Sequence, residues 1–296
     1  MIITVLLSIA AALSYGVSDF LGAVGARRLR VVPGTTITYL FALATLALGL
    51  LLVGGEWSTG AVAWGVVAGV AAIAGFLAFY AALAAGPMSL ASPLIAVTGS
   101  LVPVIIAVVI GERLPLLAWV AIVIALTGGL AISITRRGSA SGIPRKTVVL
   151  SLLAGTLLGL SIVALDFTPA EAGVTPAFME IVVGLVLLGV LLGASRLSAT
   201  VRGWLSILDE EQEEPQPTTS RARVASAAGG VLLGVANALI LAGLQSGSLA
   251  VVSVLVGLYP IATIVLARVV YRERLSAVQA GGVVLAIAGS VLLALS

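Results

Sequence analysis

LSYGVSDF, residues 13–20, and LSIVALDF, residues 160–167, are one pattern written twice. Leu13-Ser14 and Asp19-Phe20 recur as Leu160-Ser161 and Asp166-Phe167 at an offset of 147. Each copy lies in the first long apolar stretch of its half of the chain. A second pair marks the far end of the repeat, where Glu112-Arg113-Leu114 recurs as Glu273-Arg274-Leu275 at an offset of 161. That offset also aligns Ala81 with Ala242, Leu83 with Leu244, Gly86 with Gly247 and Ser92 with Ser253. The two offsets differ by 14, which a longer connection at 196–223 absorbs.

A helix that crosses a bilayer needs about 20 mostly apolar residues. That ruler predicts spans at 2–24, 35–54, 61–85, 89–110 and 116–134 in the first half, and at 148–168, 174–195, 224–245, 249–271 and 277–295 in the second. Five spans per half is an odd number, so the second copy enters the membrane from the opposite side. The expected fold is an all-α polytopic membrane protein with ten transmembrane helices as two inverted five-helix repeats. Residues 1–134 form the first repeat, the basic, Gly- and Ser-containing stretch 135–147 a linker, and 148–296 the second repeat. Inside the latter, the connection at about 196–223 carries Asp209, Glu210, Glu211, Glu213, Glu214, Pro215 and Pro217, a composition expected to stay disordered. Pairs such as Gly65/Gly69, Gly155/Gly159 and Gly230/Gly234 have the spacing that lets helix backbones approach closely in lipid.

Composition agrees. Of 296 residues, 60% are hydrophobic and 9% charged, and mean hydropathy is +1.25. A water-soluble domain is typically about 25% charged. The first apolar run lacks a basic segment before it, and Ser14, Tyr15, Ser18 and Asp19 interrupt it, so a retained span is expected rather than a signal peptide. Cysteine and histidine are absent. That removes thiolate nucleophiles, thiolate and imidazole metal ligands and the usual base near neutral pH. No cofactor or metal is expected, and no enzyme activity. No P-loop pattern is present to suggest ATP hydrolysis. The basic residues are divided among membrane-flanking loops, which argues against nucleic acid as a partner.

The Gly-Glu-Arg-Leu ending at 111–114, together with Leu258-Tyr259-Pro260, Arg268 and Arg272-Glu273-Arg274-Leu275, resembles the EamA-type branch of the drug/metabolite transporter superfamily. The likeness covers nearly the whole chain. The family's proline thirteen residues before the glutamate is matched by Pro260; the first half has Gly99 at that place and Pro103 one turn later, and Arg272 stands where the family usually has glycine. The resemblance implies a basket of helices with a central cavity built from the first, third, fourth, sixth, eighth and ninth spans. It also implies export of metabolites or drugs by a permease of the cell (inner) membrane.

Lys and Arg concentrate in the connections after spans one, five, seven and nine, while the opposite side holds Arg113 alone. By the positive-inside rule both termini are extracytoplasmic. The Arg27–Arg30 cluster fixes topology and meets anionic lipid.

Ionisable residues within spans are costly and usually face a cavity or a partner. Asp19, Asp166 and Glu180 are therefore candidates for substrate binding or for carrying a coupling proton, against the plainer alternative of solvation at a helix end. Ser14, Tyr15, Tyr80, Thr98, Ser161, Asn237, Gln245 and Tyr259 form a polar uncharged set of substrate-binding candidates. Asn237 leads it, because an amide at mid-span needs partners from a ligand or another helix. Gly99 and Pro260 occupy matching points of the halves and are hinge candidates. Glu112 and Glu273 are gate candidates, with helix-end anchoring as the alternative. The tryptophans Trp57, Trp64, Trp119 and Trp204 suit an interfacial belt. The expected function is a secondary transporter of an amino-acid-like or amphipathic solute working by alternating access. A non-transporting scaffold and an enzyme acting on lipid-linked substrates are the rivals.

Overall fold

The structure, a computed structural model, describes residues 2–26, 28–85, 88–133, 145–206, 208, 220–271 and 276–296. Twelve α-helices lie among the described residues. They are α1 (Ile2–Ala26), α2 (Val31–Val53), α3 (Thr59–Ala85), α4 (Met88–Val109), α5 (Leu116–Ser133), α6 (Arg145–Asp166), α7 (Thr175–Leu197), α8 (Ala199–Ser206), α9 (Ser220–Ser246), α10 (Leu249–Val256), α11 (Tyr259–Tyr271) and α12 (Ala277–Leu295). Seven of them (α1, α2, α3, α6, α7, α9 and α12) are long and apolar enough to cross a membrane. At the places of the fourth, fifth and ninth predicted spans stand shorter apolar segments, Leu94–Val109, Leu116–Ala131 and Leu249–Thr263. Large apolar side chains such as Leu51, Leu52, Val53, Val109 and Leu197 point outward, and all four tryptophans are exposed. Such a surface suits lipid and its interfaces rather than water.

The elements start and stop for local reasons. Ser276 and Gln279 form a reciprocal capping box at the start of α12, and Ser248 caps α10 by accepting from the Val251 N–H at 3.1 Å. After α4 the backbone turns through Gly111 at φ +104°, a conformation open mainly to glycine. The connection expected to be unstructured from 196 onward begins differently. Helix α7 runs to Leu197 and α8 follows, with Leu205 and Leu208 buried against the Val32, Ile73 and Leu188 cluster. Arg202 donates to the carbonyls of Ser195 and Arg196, tying α8 to the end of α7. The acidic stretch from Asp209 to Glu214 lies outside the described residues, as does most of the linker.

Packing repeats between the halves. Helix α9 lies antiparallel to α1: Thr4 Oγ1 donates to the Ser246 carbonyl at 3.1 Å, and Ser18 Oγ to the Gly229 carbonyl at 2.8 Å. The counterpart pair, α3 and α6, is antiparallel too, with Gly75 against Leu158 and Trp64 stacked on Phe167 at 5.0 Å. Gly230 of α9 sits on the Thr38 backbone and Phe41 of α2; Gly69 of α3 sits on the Glu180 backbone and Val183 of α7. Since Gly69 and Gly230 are 161 apart, Thr38 and Phe41 are the counterparts of Glu180 and Val183. Helices α2 and α7 run antiparallel to each other, with Gly49 near Val174 and Gly184 near Tyr39. So do α5 and α12, with Gly128 on Ala286 and Gly289 on Ala125. Small residues at every crossing let the backbones approach, as apolar surface alone would not drive association in lipid.

Helix α4 passes through Gly99 and Pro103 without interruption, whereas the ninth predicted span is broken between α10 and α11. Gly99 therefore does not match Pro260 as a break. A glycine removes no hydrogen bond from a helix. Proline lacks the N–H, and its ring displaces the carbonyl four residues earlier. For Pro260 that carbonyl belongs to Val256, where α10 ends.

Candidate functional site

Between the halves lies a cavity of about 100 Å³. It is lined by Tyr15 of α1, Ala72 of α3, Gly99 and Ser100 of α4, Ser161 and Leu165 of α6, Glu180 of α7, Asn237 of α9, Ser253 and Val256 of α10 and Tyr259 of α11, among others. The six spans that the resemblance implied all contribute. The seventh contributes as well, and it brings the carboxyl group.

Glu180 is 8% exposed. Ser161 Oγ donates to its Oε1 at 3.2 Å, while Oε2 is buried with no hydrogen-bond partner. Glu180 reaches this place because its own backbone packs on Gly69, which seats α7 tightly against α3 and leaves the side chain to turn toward α6. Ser253 Oγ is likewise buried without a partner. Asn237 is buried on α9 and lines the same space.

Two tyrosines form an edge of the cavity. The rings of Tyr15 and Tyr259 meet edge to face at 5.1 Å, an arrangement aromatic pairs prefer. Below them α1 and α11 touch through backbone: a side chain at Gly16 would overlap the Tyr259 carbonyl and Ala262, and Thr263 Oγ1 donates to the Gly16 carbonyl at 3.0 Å. The broken span brings Val256, Gly257 and Tyr259 to the cavity wall. At Gly257 a Cβ would overlap Ser100 Oγ, so the break is fitted against α4 with no space to spare.

The structure thus gathers Tyr15, Ser161, Glu180, Asn237, Tyr259 and Gly99 around one space, with Pro260 in the first turn of α11 beside it. The other candidates stand elsewhere. Asp19 is exposed and off the lining, but it stands one turn beyond Tyr15 on the same face of α1, within electrostatic range of Tyr15 and Tyr259. Ser14 also lies off the lining. Thr98 packs where α4 crosses Gly155. Tyr80 joins an aromatic group with Phe76 at 4.6 Å and Phe79 at 5.2 Å. Asp166 ends α6, within electrostatic range of Glu112, whose Oε1 is buried without a hydrogen-bond partner. Glu273 lies outside the described residues. Ser100, Ser253 and Gly257 line the cavity without having been singled out from sequence. Ser253 carried a trace of signal in its repeat alignment with Ser92, and Ser100 in its position beside Gly99.

A solved crystal structure shares this fold over 98% of this chain and 95% of its own, with a TM-score of 0.71 and 19% identity. At that identity the likeness speaks for the fold alone. No match is found among curated proteins. The sequence profile of the EamA-like transporter family matches twice, over residues 2–134 and 145–295, once for each half. With two family repeats covering nearly all of its length, this multi-pass membrane protein belongs to the EamA-like transporter family.

Proposed function

We propose that the chain is a secondary carrier that moves a small metabolite or drug across the cell (inner) membrane by alternating access, in the direction of export. The observation that carries this reading is the buried, half-paired Glu180 in a cavity walled by helices of both halves. Burying a carboxyl costs free energy unless its oxygens find partners. A packing role needs no free oxygen; a binding role does.

The reading includes ten crossings and an inverted repeat. Its support is the antiparallel course of the counterpart helices α2 and α7, and of α5 and α12. Two halves so related can rock about the cavity between them and open it alternately to each side. The break at Gly257–Leu258 gives one wall a joint for that motion. Glu180 is also where a coupling proton would ride when no cargo is bound. The distribution of arginines and lysines supports an orientation with both termini outside the cytoplasm.

Purified protein in liposomes tests the proposal. Counterflow of a labelled solute, abolished by unlabelled competitor, is the expected result. Absence of flux across neutral, cationic, zwitterionic and anionic solutes would favour the scaffold instead.

A further inference from the structure

The carrier reading leaves the cargo open, and the cavity's chemistry narrows it. Among the described lining residues Glu180 is the one formally charged side chain. Its Oε2 can only accept while ionised, and it has no partner. Val256, also on the lining, has a carbonyl whose usual helical donor is missing because Pro260 has no N–H. Ser253 Oγ is a second buried side-chain atom without a partner, able to accept as well as donate. Beside the hydroxyls of Tyr15, Ser100 and Tyr259 and the amide of Asn237, the described lining thus holds one anionic group and no cation to meet an anion. At the start of α11 the N–H groups of Leu258 and Ile261 are bonded to the carbonyls of Leu255 and Leu258, and Pro260 has none.

The repeat supplies a second, independent argument. Thr38 is the counterpart of Glu180, making the same backbone seat on a glycine of the facing helix. Its hydroxyl is used up locally, donating to the carbonyls of Gly34 and Ser226 at 3.3 and 3.2 Å. A neutral side chain thus serves this packing position in the other half. The carboxyl at 180 is an addition the fold does not need.

We infer that the cargo is a small primary amine, bound as its ammonium ion with N–H donors toward Glu180, Ser253 and the Val256 carbonyl. The rest of the wall, with Ile162 and Ile240, takes a short apolar body, and the Tyr15 and Tyr259 rings can face the cation. Size sets a limit: an apolar cavity of about 150 Å³ holds benzene, so about 100 Å³ admits roughly four heavy atoms by the same measure, which puts n-butylammonium near the upper bound. A zwitterion would bring a carboxylate that no group on the lining is charged to receive.

The inference rests on the carrier reading, and the test separates the two. Calorimetry on the purified protein would compare n-butylammonium with 1-butanol, butyrate and alanine. Only the ammonium ion should bind. Glu180→Gln and Glu180→Thr should weaken it by about tenfold to a hundredfold, with an unchanged thermal unfolding midpoint showing that the fold survives. Glu180→Asp should restore part of the affinity. Tighter binding of alanine, butyrate or butanol, or full ammonium affinity in Glu180→Gln, would overturn the amine. Flux of an anionic, neutral or zwitterionic solute in liposomes, without ammonium binding, would overturn the amine and keep the carrier. Absence of flux for every charge class would overturn both.

Discussion

A carboxyl that is 8% exposed and bonded through one oxygen is an unusual residue to keep inside apolar helices. Insertion scales put a charged side chain at mid-bilayer at a cost of at least about 2.5 kcal/mol. Asp19, though it lies in the repeated motif, is in a different situation. It is exposed and off the cavity lining, so water or headgroups can solvate it. Asp19→Asn should therefore retain at least roughly half of wild-type flux, while Glu180→Gln should lose about tenfold or more. Initial rates in liposomes at matched protein incorporation measure both. An equal loss in the two variants would extend the binding region to the Asp19 end of α1. The contrast also marks what residue types in apolar runs can tell. Tyr15, Ser161, Glu180, Asn237 and Tyr259 were legible because each is a polar group where lipid or core is expected. Asp19 gave the same signal, and it stands one turn from Tyr15 rather than on the lining itself, a distinction that sequence alone does not draw. Ser100 and Ser253 were hidden because serine is common in such helices and satisfies itself on the preceding turn.

At the scale of elements, the ninth span is the informative one. Pro260 could be read as a break because its chemistry removes a hydrogen bond wherever it stands. Gly99 could not, since a glycine interrupts a helix only if the surroundings exploit it. The fit of Gly257 on Ser100 was not legible at all, being a contact between segments some 150 residues apart in the chain. It makes a prediction of its own. Gly257→Ala brings its Cβ onto Ser100 Oγ, which must rotate away, and to 3.1 Å from the Ser253 carbonyl, so it should destabilise the protein by about 1 kcal/mol, the low end of the range for overpacking. Ser100→Ala removes that oxygen, so the double variant should regain most of the loss. Thermal unfolding of the two singles and the double would read the coupling, and simple additivity would count against the contact. Pro260→Ala acts on the same joint from the other side. It returns an N–H to the Val256 carbonyl and lets α10 and α11 join, so turnover should slow severalfold while ligand affinity changes less. Unchanged turnover would mean that the joint does not move during transport. The α8 segment was missed for a simple reason: the acidic composition that follows it dominated the reading of the whole connection, while Leu205 and Leu208 quietly anchor its start.

For the whole molecule, the repeat seen in sequence becomes a set of paired crossings, and orientation in the membrane is what the crossings leave to charge. The arginines and lysines beside α1, α6, α7, α9 and α11 fall on one side if all ten segments cross, and Arg113 stands alone on the other. Positive loops are held on the cytoplasmic side during insertion. On the proposed ten crossings, both ends of the chain would lie outside the cytoplasm. The three shorter segments bear directly on this. If Leu94–Val109, Leu116–Ala131 or the broken Leu249–Thr263 failed to cross, the charge count would no longer divide cleanly. A tag placed after Ser296 should therefore be labelled by an impermeant reagent in intact cells, and a cysteine introduced at Arg202, exposed in the connection after α7, should react only after permeabilisation. Labelling of both from outside would mean that an even number of segments crosses between residue 202 and Ser296, not the three proposed. Protection of both would put the C-terminus in the cytoplasm, and the inverted relation of the halves would then need a different set of crossings from the ten assigned here.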